Sequence, residues 1–243
     1  MGPPDKLNDP FEGGFRIKNI KKYQNEYFIK KLLKFKRKTI LDDYDYDEDL
    51  NKSMNDEYYF SNILSEYINS LIMSEFGISC FTKNPESLKM WSHYADSHKG
   101  VCLIFDEVKL KTGISKQPNV SMNKIKYSNQ LPFVELVNHD ANEDSDDYIG
   151  IREEGPFLFN KLCSWSEEEE TRLLINKNFD LFPDRRLKFD SESLVGIIFG
   201  ARIGIDNLET IKNLITEFNK YNNVKLYTSN KHIEKTEMII KEL

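Results

Sequence analysis

Two runs in this chain carry no polar side chain: Val101-Cys102-Leu103-Ile104-Phe105 and Leu194-Val195-Gly196-Ile197-Ile198-Phe199, the second closed by Gly200. Short apolar runs rich in β-branched and aromatic residues read as strands buried on both faces. They require a sheet at the centre of the fold, and the rest of the chain must supply its cover. Ile78–Thr82, Val224–Tyr227 and Met238–Ile240 read as further strands. Helical spacing recurs around them. Tyr59/Phe60, Ile63/Leu64, Tyr67/Ile68 and Leu71/Ile72 mark an amphipathic helix that starts after Asn55 and stops at Gly77. Leu208, Ile211, Leu214, Ile215 and Phe218 stripe another behind Asp206 and Glu209, and a basic segment from Phe15 to about Lys38 reads as a third. Asn84-Pro85-Glu86 opens a short helix carrying Trp91, His93 and Tyr94, which Gly100 ends. Strands and helices interleave irregularly, which implies an α+β fold with a mixed, largely antiparallel sheet flanked by helices.

The 243 residues suit a single domain over 1–243, and 39% apolar with 12% aromatic residues is a globular composition. A net charge of −6 argues against a protein that coats nucleic acid over its whole surface. The charge is segregated, however. Arg16 to Lys38 holds ten Lys or Arg and one acid, and residues 42–57 hold eight acids and one Lys. The first block is a candidate nucleic-acid surface or a solvated helix; the second reads as a flexible acidic segment, and the two are able to neutralise one another. Residues 106–147 read as a polar insertion. Its tract Asn138–Asp147 has five acids yet lacks the glycine and terminal glutamate of an EF-hand loop. A helix is expected over Tyr148–Leu162, interrupted near Gly155-Pro156.

Cys80, Cys102 and Cys163 lie far apart without a C-x-x-C pair, and no segment is apolar enough for a membrane span or a signal core. A cytoplasmic setting is the expectation. Glycine-rich phosphate loops, a G-x-S-x-G elbow and zinc spacings among His93, His98, His139 and His232 are absent, so no metal and no bound cofactor is assigned.

Chemistry then rests on Trp165-Ser166-Glu167-Glu168-Glu169-Glu170-Thr171-Arg172-Leu173-Leu174. On a strand, alternation puts Glu168, Glu170 and Arg172 on one face, two carboxylates beside a guanidinium. Such a group orients a ribose hydroxyl or faces an oxocarbenium-like transition state. The same letters also spell a capping box from Ser166 to Glu169 and an i,i+4 pair from Glu168 to Arg172, which would begin an ordinary helix. Trp91 and Tyr94 have two readings as well. They are core aromatics with His93 a bystander, or a wall on which a flat base or nicotinamide ring stacks.

Three islands, Asn8–Glu12, Cys80–Asp106 and Trp165–Leu174, together resemble the bacterial domain-of-unknown-function family numbered 2971. The family's third island reads approximately W-x-Y-E-x-E-W-R; here Trp165, Glu168, Glu170 and Arg172 match it, while Glu167 and Thr171 replace its aromatics. Relatives begin with a strand bearing a Tyr or His motif ahead of the first island, and this chain starts after that point. The order of first strand, Ser or Thr strand and late E-x-E strand is similar to the layout of ADP-ribosyltransferases. The resemblance implies an NAD-consuming transferase, acting as a toxin or anti-phage effector. NAD is its substrate, Glu170 the catalytic carboxylate, and Glu168 and Arg172 its helpers. Substrate contacts would come from Thr82, Trp91, His93, Tyr94, Asn8, Asp9 and Glu12, and the lost first strand would impair activity. The rival expectations are a nucleic-acid-associated module using Arg16–Lys38 and a protein-interaction domain without catalysis.

Overall fold

The computed structural model describes residues 1, 13–39, 45–117, 119–138, 149–153, 157–176, 186–235 and 237–243. In chain order its elements are β1 (Arg16–Ile17), α1 (Glu26–Thr39), α2 (Tyr46–Asn55), α3 (Glu57–Glu75), β2 (Phe76–Phe81), α4 (Leu88–Tyr94), β3 (Val101–Phe105), α5 (Glu107–Ile114), β4 (Val120–Lys124), β5 (Lys126–Tyr127) and β6 (Phe133–Asn138), followed by β7 (Ile149–Glu153), β8 (Asn160–Lys161), β9 (Thr171–Asn176), β10 (Leu194–Phe199), α6 (Ile205–Glu217), β11 (Lys225–Lys231) and β12 (Met238–Glu242). The architecture is α+β, with the strands divided among several small, mostly antiparallel sheets. The chain forms two compact units. A sheet unit comprises Met1, Ser79–Ile125 and Trp165–Leu243, and a helical unit comprises Gly2–Ile78 and Lys126–Ser164.

In the sheet unit the two apolar runs are neighbours. β3 and β10 pair antiparallel, with Leu194 opposite Phe105 and Phe199 opposite Val101. The four-stranded order is β12-β11-β10-β3, with β10 and β11 parallel. Gly196 leaves little spare room in β10: a Cβ there would lie 3.0 Å from the Ile104 side chain and 3.1 Å from Tyr227, so both would have to shift by a few tenths of an ångström. The expectation that β3 is buried on both faces fails, because β3 is an edge strand and Leu103 remains 47% exposed. Trp91 of α4 and Ala95, the helix's C-cap, pack on Ile198 and Met238. A second sheet, β2-β9-β4, pairs β4 antiparallel to β9 from Val120 and Ile175 to Lys124 and Thr171, and Leu110 and Ile114 of α5 cover Leu173.

α4 begins at Leu88, later than the proline suggested, because the Ser87 side chain accepts from the Met90 N–H, while Asn84 turns the chain just before it. It ends in an unusual reversal. Asp96, Ser97 and His98 all have left-handed backbones, φ 44°, 53° and 71°, which L-residues seldom adopt in succession. The turn is locked by the segment that follows β10: the His98 carbonyl accepts from the Arg202 N–H at 2.9 Å. A Cβ on Gly200 would lie 2.2 Å from that carbonyl oxygen, so only glycine fits. α6 starts after Gly204 rather than at Asp206.

Part of the stretch expected to be a polar insertion is regular structure. Asp106 caps α5 by accepting from the Val108 and Lys109 N–H groups, and β4, β5 and β6 follow within residues 106–147. The acidic tract 139–147 lies outside the described residues.

In the helical unit, Phe28, Ile29, Leu32 and Leu33 of α1 and Phe60, Ile63, Leu64 and Ile68 of α3 are buried. Phe28 and Phe60 meet edge to face at 6.4 Å. The Tyr23 hydroxyl donates to the Leu136 carbonyl of β6 at 2.8 Å, in a sheet of order β1-β6-β7. Three expectations are corrected here. The basic segment is not one helix from Phe15: β1 and a 3₁₀ turn (Ile20–Lys22) come first, after which Asn25 accepts from the Phe28 N–H and α1 begins. The acidic segment is largely helix α2, because Asp45 caps it and Asp47, Glu48 and Asp49 occupy the first turn, where the helix dipole favours acids. The expected helix over 148–162 is instead β7, a buried 3₁₀ turn (Phe157–Phe159) and β8. The two charge blocks meet: Lys21 Nζ lies 3.4 Å from Glu57 Oε2, and Gln24 Nε2 donates to the Ser53 carbonyl at 3.0 Å.

Candidate functional site

The Trp165–Leu174 island is neither a continuous strand nor a helix. Cys163–Glu168 is a 3₁₀ turn, Glu169 takes the left-handed conformation with φ 45°, and β9 begins at Thr171. The ladder with β4 extends to Glu170, whose carbonyl accepts from the Ile125 N–H at 2.9 Å. Alternation therefore relates Glu170 and Arg172, whereas Glu168 is delivered by the turn. The ion pair likewise runs from Arg172 to Glu170, not to Glu168 as a helix would have it.

Both arms of that pair are out of water. Arg172 is 0% exposed and Glu170 4%. Arg172 Nε donates to Glu170 Oε1 at 3.0 Å and Nη2 lies 2.9 Å from the same oxygen, a charge-assisted contact. Glu168, 7% exposed, is held at two points. Its carboxylate Oε1 accepts from the Tyr94 hydroxyl at 2.9 Å, and its carbonyl accepts from Thr82 Oγ1 at 2.6 Å. Thr82 Oγ1 also accepts from the Asn84 N–H at 3.0 Å, tying the end of β2 to the approach of α4.

One face of α4 meets the 3₁₀ turn. Lys89 Nζ lies 2.6 Å from Glu167 Oε2, and one turn on, His93 contacts Trp165 edge to face at 6.3 Å. His93 also meets Tyr94 at 6.3 Å. The sequence reading missed Lys89 and Glu167 as partners; the i,i+4 spacing of Lys89 and His93 is the signal that would have found them. Trp91 points the other way. It is 3% exposed, packs in the core and donates its indole N–H to the Pro85 carbonyl at 2.7 Å. The stacking-wall reading of Trp91 is thereby corrected, and the aromatic surface beside the carboxylates comes from His93, Tyr94 and Trp165. Behind α4, Ser92 Oγ and His98 Nε2 are 3.1 Å apart and the His98 ring stacks with Trp91.

Within the sheet unit the structure links Thr82, Tyr94 and Glu168 by hydrogen bonds, sets His93 against Tyr94, and separately pairs Glu170 with Arg172 two positions along the chain. Asn8, Asp9 and Glu12 lie outside the described residues. Among the described residues, no three His, Cys, Asp or Glu side chains gather as metal ligands, and no helix is long and apolar enough to cross a membrane.

Residues 90–173 match the family model described as protein of unknown function, DUF2971. Over this segment, about a third of its length, the chain is similar to the DUF2971 family. The DUF2971 match takes in His93, Tyr94, Glu168, Glu170 and Arg172 and leaves Thr82 outside. No curated protein and no solved structure matches the chain.

Proposed function

We propose that the Glu168–Glu170–Arg172 cluster is the centre of an NAD-consuming transferase of ADP-ribosyltransferase type. The observation that carries this reading is the pair of carboxylates, each fixed by its own partner, Glu170 by Arg172 and Glu168 by Tyr94. Fixed charges that need not reorganise stabilise a developing cation better than mobile ones. In the proposed reaction the bond between the ribose anomeric carbon and nicotinamide breaks, and its electron pair leaves with neutral nicotinamide. Glu170 faces the positive charge that develops on the ribose. A nucleophile carrying a hydrogen then bonds to the anomeric carbon and gives its proton to Glu168. Arg172 is a positioning residue that aims Glu170, and His93, Tyr94 and Trp165 supply surface for flat rings. In a cell such chemistry would make the chain a toxin or an anti-phage effector.

The complete burial of Arg172 supports a second reading, in which the pair only fixes the interior and nothing is catalysed. An assay with labelled NAD and cell lysate separates the two. The transferase reading expects nicotinamide release or a labelled macromolecule with the wild-type chain, and its loss in Glu170→Gln of unchanged fold. No turnover by the wild type, or equal turnover by folded Glu170→Gln, overturns it in favour of the structural reading.

A further inference from the structure

The helical unit holds a cleft of about 510 Å³ that no part of the proposed reaction uses. Its size lies within the range of about 300–1,000 Å³ found for small-molecule sites. Phe15, Ile17 and Ile20 supply its apolar side, and Arg16, Tyr58, Ser61 and Ser65 its polar side. We propose that this cleft binds a phosphate monoester whose alcohol also bears a flat aromatic ring, as the ribose of a nucleoside monophosphate bears its base.

The argument starts with Arg16. Its Nε donates to the Leu131 carbonyl at 2.9 Å and its guanidinium carbon sits 4.0 Å from the centre of the Phe133 ring. The charge is therefore held in one orientation, and less side-chain freedom is lost when an anion arrives. Among the described residues no carboxylate pairs with Arg16, so its Nη donors remain for a ligand. Ser61 and Ser65 stand one turn apart on α3, on the same face. Neither hydroxyl makes a hydrogen bond among the described residues, whereas Ser70, further along the same helix, donates to the Tyr67 carbonyl at 2.6 Å. A guanidinium fork and two hydroxyls match the several acceptor oxygens of a phosphate better than the two of a carboxylate.

The start of α3 is not the anion's place, because the Asp56 carboxylate already accepts from the Tyr58 and Tyr59 N–H groups. Glu57, which also lines the cleft, is offset by Lys21. Tyr58 is 76% exposed, an aromatic face wide open to solvent, and it would cover the ligand's ring.

Calorimetric titration of the full chain with adenosine monophosphate, adenosine and inorganic phosphate tests the site. The nucleotide is expected to bind more tightly than either part alone. Arg16→Met removes a charge-assisted contact and is expected to weaken the nucleotide about 10–100-fold. Ser61→Leu leaves Arg16 and its stacking intact, fills the cleft, and is expected to abolish binding without loss of fold. The proposal is overturned if the nucleotide does not bind at millimolar concentration. It is also overturned if adenosine or phosphate binds equally well, or if the nucleotide's affinity is the same in folded Ser61→Leu as in the wild type.

Discussion

Arg172 is a cation with no surface in water, and the Glu170 carboxylate offsets its charge. Truncating one member of such a pair leaves the other buried and uncompensated, which costs about 3–5 kcal/mol, whereas replacing both with apolar side chains of similar volume is often far milder. Arg172→Met is therefore expected to lower stability by about 3–5 kcal/mol, and Arg172→Met with Glu170→Leu to recover a large part of it. Urea unfolding of the two variants and the wild type measures both numbers, and additive losses would show that the pair is not coupled. Glu170 and Arg172 were legible in the sequence because strand alternation relates positions two apart. Glu168 was named for the wrong reason. Its position depends on the left-handed backbone of Glu169, which a glutamate does not advertise. Trp91 was legible only as an ambiguity, since a buried and a ring-stacking tryptophan have the same spacing, and the Pro85 carbonyl that satisfies its N–H decides the matter.

At the scale of the element, helix α3 was readable from its apolar pairs repeating every four residues, although its cap proved to be Asp56 rather than Asn55. Helix α2 was not. Eight acids in sixteen residues look like a solvated loop, and nothing local says that Asp49 is buried and accepts a hydrogen bond from the Tyr59 hydroxyl of α3. That contact carries a pH signature. Burial first, and then the Asp49 hydrogen bond and charge, push the Tyr59 pKa up to about 12. The folded chain thus holds a proton that the unfolded chain gives up near pH 10. The stabilisation is complete below pH 10 and is lost as pH rises towards 12. Wild type is accordingly expected to exceed Tyr59→Phe in urea resistance at pH 8, with the gap closing between pH 10 and 12. A gap that stays constant would mean that the tyrosine titrates alike in both states.

For the molecule as a whole, α+β was readable because two apolar runs demanded a sheet, while the division into two units was not. The chain passes from the helical unit to the sheet unit at Ser79, returns at Lys126 and crosses again at Trp165. No composition change marks these points. The DUF2971 match, residues 90–173, consequently takes a part of each unit and contains neither β2 nor β10. A fragment with those bounds would lack β10 as the neighbour of β3 and Ile198 and Met238 as cover for Trp91. It is expected to show no cooperative thermal transition by circular dichroism under conditions where the full chain shows one; a sigmoidal melt of the fragment would refute this.

The pairing of β3 with β10 also has a bearing on synthesis. A ribosome builds residues 101–105 long before residues 194–199, and domains tend to fold in the order they emerge. All of the helical unit has been made by Ser164, while the sheet unit still awaits its central strand. During that interval Val101–Phe105 is an apolar, unpaired segment of nascent chain, a natural point of engagement for chaperones and the place where a stalled chain would be most prone to aggregate.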